Sequence, residues 1–297
     1  MPDEIIVYQS KKMCGNEIIC HTKNEGAEQR DGLFHRIALK VRTRFAPTPS
    51  GYLHRGNLAN AQINAWLAQQ IHGDLVLRID ADDRARYQPQ YSDFIVASLR
   101  ELGIAYTLYA PDIESRKEYL KSELKLIPGQ NLFACDCSRS SLIEQECSCR
   151  EQSLAWQPGV NALRLHLDPD LTATVNGELF RLHDEFGDVV LWRRDDIPAY
   201  HWANVIDDRD LGISHIVRGR DLLASSALHI HIASMIGAVT VAKAQYHHHS
   251  LLVDSTGKKL SKSQQSNAQP PTLDLTFLSD VRTSAQELAD ELGIAVP

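Results

Sequence analysis

Apolar and polar residues alternate from Ala38 to Phe45 (Ala38-Leu39-Lys40-Val41-Arg42-Thr43-Arg44-Phe45), the period of a half-buried strand. The alternation stops at a turn rich in Pro and Gly, 47–51. Apolar positions then fall at Leu58, Ala61, Ala65, Trp66 and Ala68, which predicts a helix ending near Gly73. Asp74-Leu75-Val76-Leu77-Arg78-Ile79-Asp80 follows as a compact apolar strand. Strand, turn, helix and strand make one βαβ unit, so an α/β fold with a parallel sheet is expected.

Phe94, Ile95, Leu99 and Leu102 predict a second helix, from Tyr91 to Gly103. The runs 161–167 and 188–193 are strand-like and suit an antiparallel insertion. Parallel-sheet strands are expected again at Asn204-Val205-Ile206-Asp207 and His215-Ile216-Val217-Arg218-Gly219, then a helix from Leu222 to Gly237. Pro270-Pro271 precedes one or two further helices, and no internal repeat is visible. The expected organisation is an N-terminal extension (1–40), a first half of the α/β domain (41–134), an insertion (135–199), a second half (200–270) and a short helical tail (271–297).

Composition narrows the classes. Hydrophobic residues at 43% and charged residues at 23% are those of an ordinary globular protein. Lys+Arg 31 against Asp+Glu 38 leaves a net charge of -7, which argues against a chain-wide phosphate-binding surface but allows a local basic groove. The N-terminus lacks a basic segment followed by an apolar core, and no apolar run approaches the roughly 20 residues that cross a bilayer. A cytoplasmic protein without membrane partners is expected, acting as a monomer.

Three segments carry candidate chemistry. The 47–57 turn lies between a strand and a helix, where free backbone N–H groups and the helix dipole favour a phosphate. Gly51 and Gly56 allow close approach of a ligand, and His54 sits where a donor reaches a nucleotide. A Pro-rich turn with Ser50 as the helix cap fits the same residues. The segment Asp254-Ser255-Thr256-Gly257-Lys258-Lys259-Leu260-Ser261-Lys262-Ser263 suits a clamp on a pyrophosphate leaving group, or a solvated surface loop. Four of six cysteines crowd into Cys135-Asp136-Cys137 and Cys147-Ser148-Cys149; in a reducing compartment paired Cys-x-Cys elements offer four thiolates to a tetrahedral zinc ion. Buried free thiols are the alternative.

Taken in order, these segments resemble a known family. The run Arg44-Phe45-Ala46-Pro47-Thr48-Pro49-Ser50-Gly51-Tyr52-Leu53-His54-Arg55-Gly56-Asn57 is similar to the first signature of the glutamyl-tRNA synthetases, and Lys259 to Ser263 to the second. Leu77-Arg78-Ile79-Asp80, Tyr200, Asp207-Asp208 and Arg218-Gly219-Arg220-Asp221-Leu222-Leu223 also fall in the family's order. The resemblance runs from about Val41 to Lys262. It implies a class I synthetase fold of Rossmann type with an inserted zinc-containing subdomain.

It also implies formation of an acyl-adenylate from glutamate and ATP, with Mg²⁺ accompanying the ATP and catalysis by positioning and charge neutralisation. His54 would donate near the α-phosphate and Lys262 would hold the outgoing phosphates. Pro47, Ser50, Gly51, Gly56, Asn57, Lys259 and Ser261 would complete the ATP site. Arg44, Ala46, Ser50, Asp80, Tyr200 and Arg218 would hold glutamate. Cys135, Cys137 and Cys149 match the family's structural zinc ligands, Gln145 stands where a Tyr is usual, and Cys147 is added from spacing alone. Three departures are visible: Asp80 where Glu is usual, Ala81 where Asp is usual, and Arg55 in place of an aliphatic residue.

Full-length relatives continue into a helical anticodon-binding region, whereas Gln264 to Pro297 is short. That resembles the truncated branch of the family, which transfers glutamate to the queuosine base of tRNA(Asp). Another acceptor, or a non-catalytic tRNA- or amino-acid-binding role, are the alternatives.

Overall fold

The computed structural model describes residues 6–8 (backbone only), 41–79, 87–138, 140–141, 147–253 and 270–297. Asp80, Ala81, Gln145, Lys259, Ser261 and Lys262 lie outside the described residues. So does nearly all of the 1–40 segment.

The first strand of the βαβ unit runs Arg42–Phe45 (β2), with Thr43, Arg44 and Phe45 all buried. Residues 38–40 of the expected strand are not among those described. Helix α1 (Arg55–Gln70) follows, then β3 (Asp74–Arg78), parallel to β2. The return from α1 into β3 depends on Gly73, because a Cβ there would come 2.4 Å from the Val41 carbonyl oxygen. Helix α2 (Pro89–Glu101) leads to β4 (Tyr106–Tyr109), parallel to β3, and the short β1 (Ile6–Tyr8) pairs antiparallel with β4.

On the other edge of β2, the Ser214 N–H donates to the Arg42 carbonyl at 3.0 Å and the Arg42 N–H to Ser214 Oγ at 3.0 Å. This seats β10 (His215–Gly219) beside β2, and β11 (Gln245–His249) runs parallel to β10. From β2 the chain builds outward in one direction through β3 and β4, and in the other through β10 and β11. Such reversals of strand order open a crevice at the carboxyl ends of the strands, where α/β folds bind ligands.

The residues 161–167 and 188–193 do form antiparallel structure. Strands β5 (Leu132–Cys135), β6 (Ala162–Leu165) and β9 (Val189–Trp192) make one sheet, and β7 (Thr172–Val175) with β8 (Glu178–Arg181) makes a hairpin. Its two turn residues, Asn176 and Gly177, take φ of 51° and 80°, the left-handed pair that a two-residue hairpin requires. Helix α3 (Ile113–Glu123) precedes this sheet, and a single turn, α4 (Leu182–Phe186), follows the hairpin.

One expected strand is a helix. Asn204-Val205-Ile206-Asp207 lies inside α5 (Tyr200–Asp210), because its buried residues, including Trp202, Ala203, Val205 and Ile206, pack on more than one side. A short apolar run buried on several sides has no periodicity to separate helix from strand. Helix α6 (Leu223–Met235) and a turn, α7 (Val239–Ala242), connect β10 to β11.

The C-terminal segment forms one helix, α8 (Leu275–Leu292), capped at its start by Asp274, whose side chain accepts from the Phe277 N–H at 2.8 Å. It packs along α1: Ala285, Leu288 and Ala289 meet Ala59, Ile63 and Leu67 in one buried cluster. Small residues on both helices permit this close approach and bury α1 on two sides, against the sheet and against α8. No helix among the described residues is long and apolar enough to cross a membrane.

Candidate active site

A cavity of about 470 Å³ opens at the carboxyl ends of β2, β10 and β11. The turn after β2 contributes Ala46, Pro47 and Thr48, and the start of α1 contributes His54, Gly56 and Asn57. Tyr200 and Asn204 come from α5, Arg218 and Gly219 from β10, and His249 from β11.

His54, and not Ser50, caps α1. Its Nδ1 accepts from the Gly56 N–H at 3.1 Å and the Asn57 N–H at 3.3 Å, while Asn57 Oδ1 accepts from the His54 N–H at 3.3 Å. An Nδ1 that accepts from backbone carries no proton, so the proton of the neutral ring resides on Nε2. The cap therefore fixes the tautomer and makes Nε2 a donor beside the cavity. A Cβ at Gly56 would stand 3.1 Å from His54 Cε1, so any side chain there would crowd the capping ring.

Beneath the cavity a buried ion network joins four elements. The Asp208 carboxylate accepts from Arg44 Nε (β2) at 3.1 and 3.3 Å and from the Arg78 guanidinium (β3) at 2.9 Å. Asp207 takes the Arg116 guanidinium of α3, whose other end reaches Asp210 at 3.3 Å. Burial pushes the Arg44 guanidinium down, and Asp208 opposes that by its charge; arginine stays protonated throughout.

Arg218 stands apart from this network. It is 5% exposed, lines the cavity, and its Nε and both terminal nitrogens are buried without a hydrogen-bond partner among the described residues. Its guanidinium lies 5.5 Å from the centre of the Tyr246 ring. Its histidine neighbours give it no negative charge. Burial and the Arg218 charge push His201 down to about 4 and hold His229 well below its ordinary value, and the two rings share a 3.0 Å contact. Tyr200 packs edge-on against His201 at 5.1 Å. Asp221 shares the cavity lining, but no carboxylate among the described residues hydrogen-bonds Arg218, and a buried cation so placed is a site for an anion.

The His247-His248-His249 run lies on β11. His249 donates from Nδ1 to the Ser250 carbonyl (2.7 Å), so its Nε2 accepts from Asn60 Nδ2 (3.0 Å). His248 spans Ser226 Oγ at 2.7 Å and Asn176 Nδ2 at 3.0 Å, tying the β7–β8 hairpin to the strand beside the cavity.

A second cluster lies outside the cavity. The Sγ atoms of Cys135, Cys137, Cys147 and Cys149 all fall within 4.8 Å of one another, with separations of 3.6, 3.7 and 3.6 Å for the 135–147, 137–147 and 137–149 pairs. A tetrahedron of thiolates about 2.3 Å from zinc has sulfur–sulfur edges of about 3.8 Å. The donor set therefore fits zinc, and burial pushes the Cys147 thiol up to about 12 when no cation compensates. This is the one such cluster among the described residues.

Residues 40–174 and 157–272 match the family described as tRNA synthetases class I (E and Q), catalytic domain. The chain belongs to that family. It is 34% identical over 281 residues to the Glutamyl-Q tRNA(Asp) synthetase of Cupriavidus metallidurans, an alignment covering 87% of this chain and 89% of that protein. With the Glutamyl-Q tRNA(Asp) synthetase of Rhodobacter capsulatus it shares 31% over 261 residues, 76% of this chain and 92% of that one. The glutamate–tRNA ligase of Frankia casuarinae is 32% identical over 239 residues, 75% of this chain; the chain spans about half, 50%, of that relative's length. Among solved structures, a glutamate tRNA ligase from Elizabethkingia meningosepticum in complex with its amino acid aligns with a TM-score of 0.61 at 25% identity, over 78% of this chain and 54% of that one.

Within this synthetase-family fold the sequence-predicted residues divide. Arg44, Ala46, Pro47, His54, Gly56, Asn57, Tyr200 and Arg218 meet around the cavity. Ser50 and Gly51 sit in the same turn but do not line it; the Ser50 N–H is spent on the Thr48 carbonyl at 2.9 Å. The four cysteines converge elsewhere. Asn204 and His249 line the cavity and were not singled out as cavity residues from sequence. The signal for Asn204 was its place four residues after Tyr200 in a buried helix, hidden once that segment read as a strand.

Proposed function

We propose that this synthetase-family chain activates glutamate with ATP and passes the glutamyl group to the queuosine base of tRNA(Asp). The observation that carries the first half is Arg218, a buried cation with no hydrogen-bond partner among the described residues, in a cavity at the strand-order reversal. With Arg44 and Tyr200 it forms a subsite for an amino acid bearing extra negative charge. In the reaction a glutamate carboxylate oxygen bonds to the α-phosphorus of ATP while the bond to the bridging oxygen of the β-phosphate breaks, releasing pyrophosphate. No protein nucleophile is needed, and the rate gain comes from alignment and fixed charge.

His54 donates from Nε2 to the developing charge on the α-phosphate. Pro47, Gly56 and Asn57 line the nucleotide side of the site, with Gly51 in the turn behind them. Lys262, with Lys259 and Ser261, holds the outgoing phosphates, and Mg²⁺ accompanies the triphosphate. Ala46 and Asp80 complete the glutamate side, and Ser50 supports it from the same turn without lining the cavity. The four thiolates Cys135, Cys137, Cys147 and Cys149 would hold a structural zinc ion that fastens β5 to the segment ending at Cys149. We read 41–134 and 200–270 as the two halves of the catalytic domain, 135–199 as the insertion, and the protein as a cytoplasmic monomer.

The acceptor is supported by the relatives that align with this chain over 89% and 92% of their own length, both named Glutamyl-Q tRNA(Asp) synthetase. The test is transfer of labelled glutamate to tRNA(Asp). The expected result is acceptance by the queuosine-containing tRNA and none by the guanosine-containing form. Equal acceptance by both, or labelling of the 3′ end, would refute the base as acceptor.

A further inference from the structure

We propose that Asp208 is a positioning residue for the amino-acid subsite and acts through Arg44. This rests on the function proposed above and adds a residue to it. Arg44 and Arg218 line the cavity, Arg78 shares Asp208 with Arg44, and the charges of Arg78 and Arg218 both bear on Arg44. Left alone, like charges this close would drive the Arg44 side chain out of place. Asp208, 1% exposed, accepts from Arg44 Nε through both carboxylate oxygens and from Arg78 through one. With the Asn204 amide turned so that its nitrogen donates, it reaches the second Asp208 oxygen at 3.2 Å while its own oxygen accepts from Arg78 at 2.7 Å.

A guanidinium held at Nε has its plane fixed, and its two terminal NH₂ groups then form a rigid fork. Asp208 commits Nε and so decides how that fork is presented at the cavity. The spacing on α5 supports this division of labour. Tyr200 and Asn204, four residues apart, line the cavity, and Asp208 follows four residues on along the helix, buried against Arg44 and Arg78. Asp207 and Asp210 hold Arg116 of α3, with Asp207 also 3.9 Å from Arg78 Nε, and neither touches Arg44, so they chiefly tie α5 to α3.

The experiment uses the full chain and amino-acid-dependent exchange of labelled pyrophosphate into ATP, with KM for glutamate and for ATP measured separately. Asp208→Asn keeps the shape and one acceptor but removes the charge. Its KM for glutamate should rise roughly 30-fold, with KM for ATP changed less than about two-fold. In an Arg44→Met background the same change should alter kcat/KM for glutamate less than about two-fold, because its target is gone. Asp207→Asn should lower the melting temperature and leave KM for glutamate within about two-fold. An equal effect of Asp208→Asn in both backgrounds, a parallel rise in KM for ATP, or a lower melting temperature with unchanged KM would each overturn the proposal. Wild-type protein that supports no exchange with any amino acid would refute the function as well, a result distinct from an active wild type whose Asp208 variant is unaltered.

Discussion

Arg218→Met raises the KM for glutamate about a hundred-fold and leaves the melting temperature unchanged or higher by about 2–4 °C. The two halves of this expectation share one cause. Arg218 is buried and has no hydrogen-bond partner among the described residues, so its charge is costly to hold unless an anion binds it. Methionine fills similar volume without charge and removes that cost. Glutamate loses a charge-assisted partner at the same time. Loss of function with retained or increased stability is the signature of a residue held in place for a ligand. A variant that loses stability and keeps its KM would show that Arg218 serves the core, through its stacking on Tyr246. Steady-state exchange kinetics and a thermal melt on the same preparation decide between them.

Cys135→Ser reduces bound zinc from about one ion per chain to less than a tenth of that, and lowers the melting temperature. Cys135 is fully buried on β5 and packs with Phe133, Cys149 and Leu154, a cluster too small to hold the segment by apolar burial alone. None of the four thiols lines the cavity, so adenylate formation should change by less than about three-fold while transfer to tRNA falls further. Metal analysis of wild type and variant provides the check. Unchanged zinc content would contradict the four-thiol site.

Much of the fold was legible in the sequence where periodicity was clean. Residues 42–45, α1 and the apolar run Leu75 to Leu77 read as strand, helix and strand, and the parallel pairing of β2 with β3 followed. The half-buried alternation expected of the first strand did not hold, since Thr43, Arg44 and Phe45 are all buried in a strand flanked on both edges. The 204–207 segment did not yield, because a helix buried on several sides offers no face to read, and with it went Asn204 and the contacts, though not the presence, of Asp208. The helix cap failed for a related reason: serine is the usual capping residue, and only geometry shows the His54 ring taking that place. Cys147 was legible from spacing and joins its three partners. The packing of α8 on α1 was not, since small residues such as Ala59 and Ala289 carry their meaning only once opposed.

The most direct measurement is glutamate-dependent exchange of labelled pyrophosphate into ATP by the purified chain without tRNA. The site described here predicts robust exchange with glutamate and weak or none with glutamine, whose neutral side chain leaves Arg218 unpaired. No exchange with glutamate, aspartate or glutamine would contradict the account at its centre.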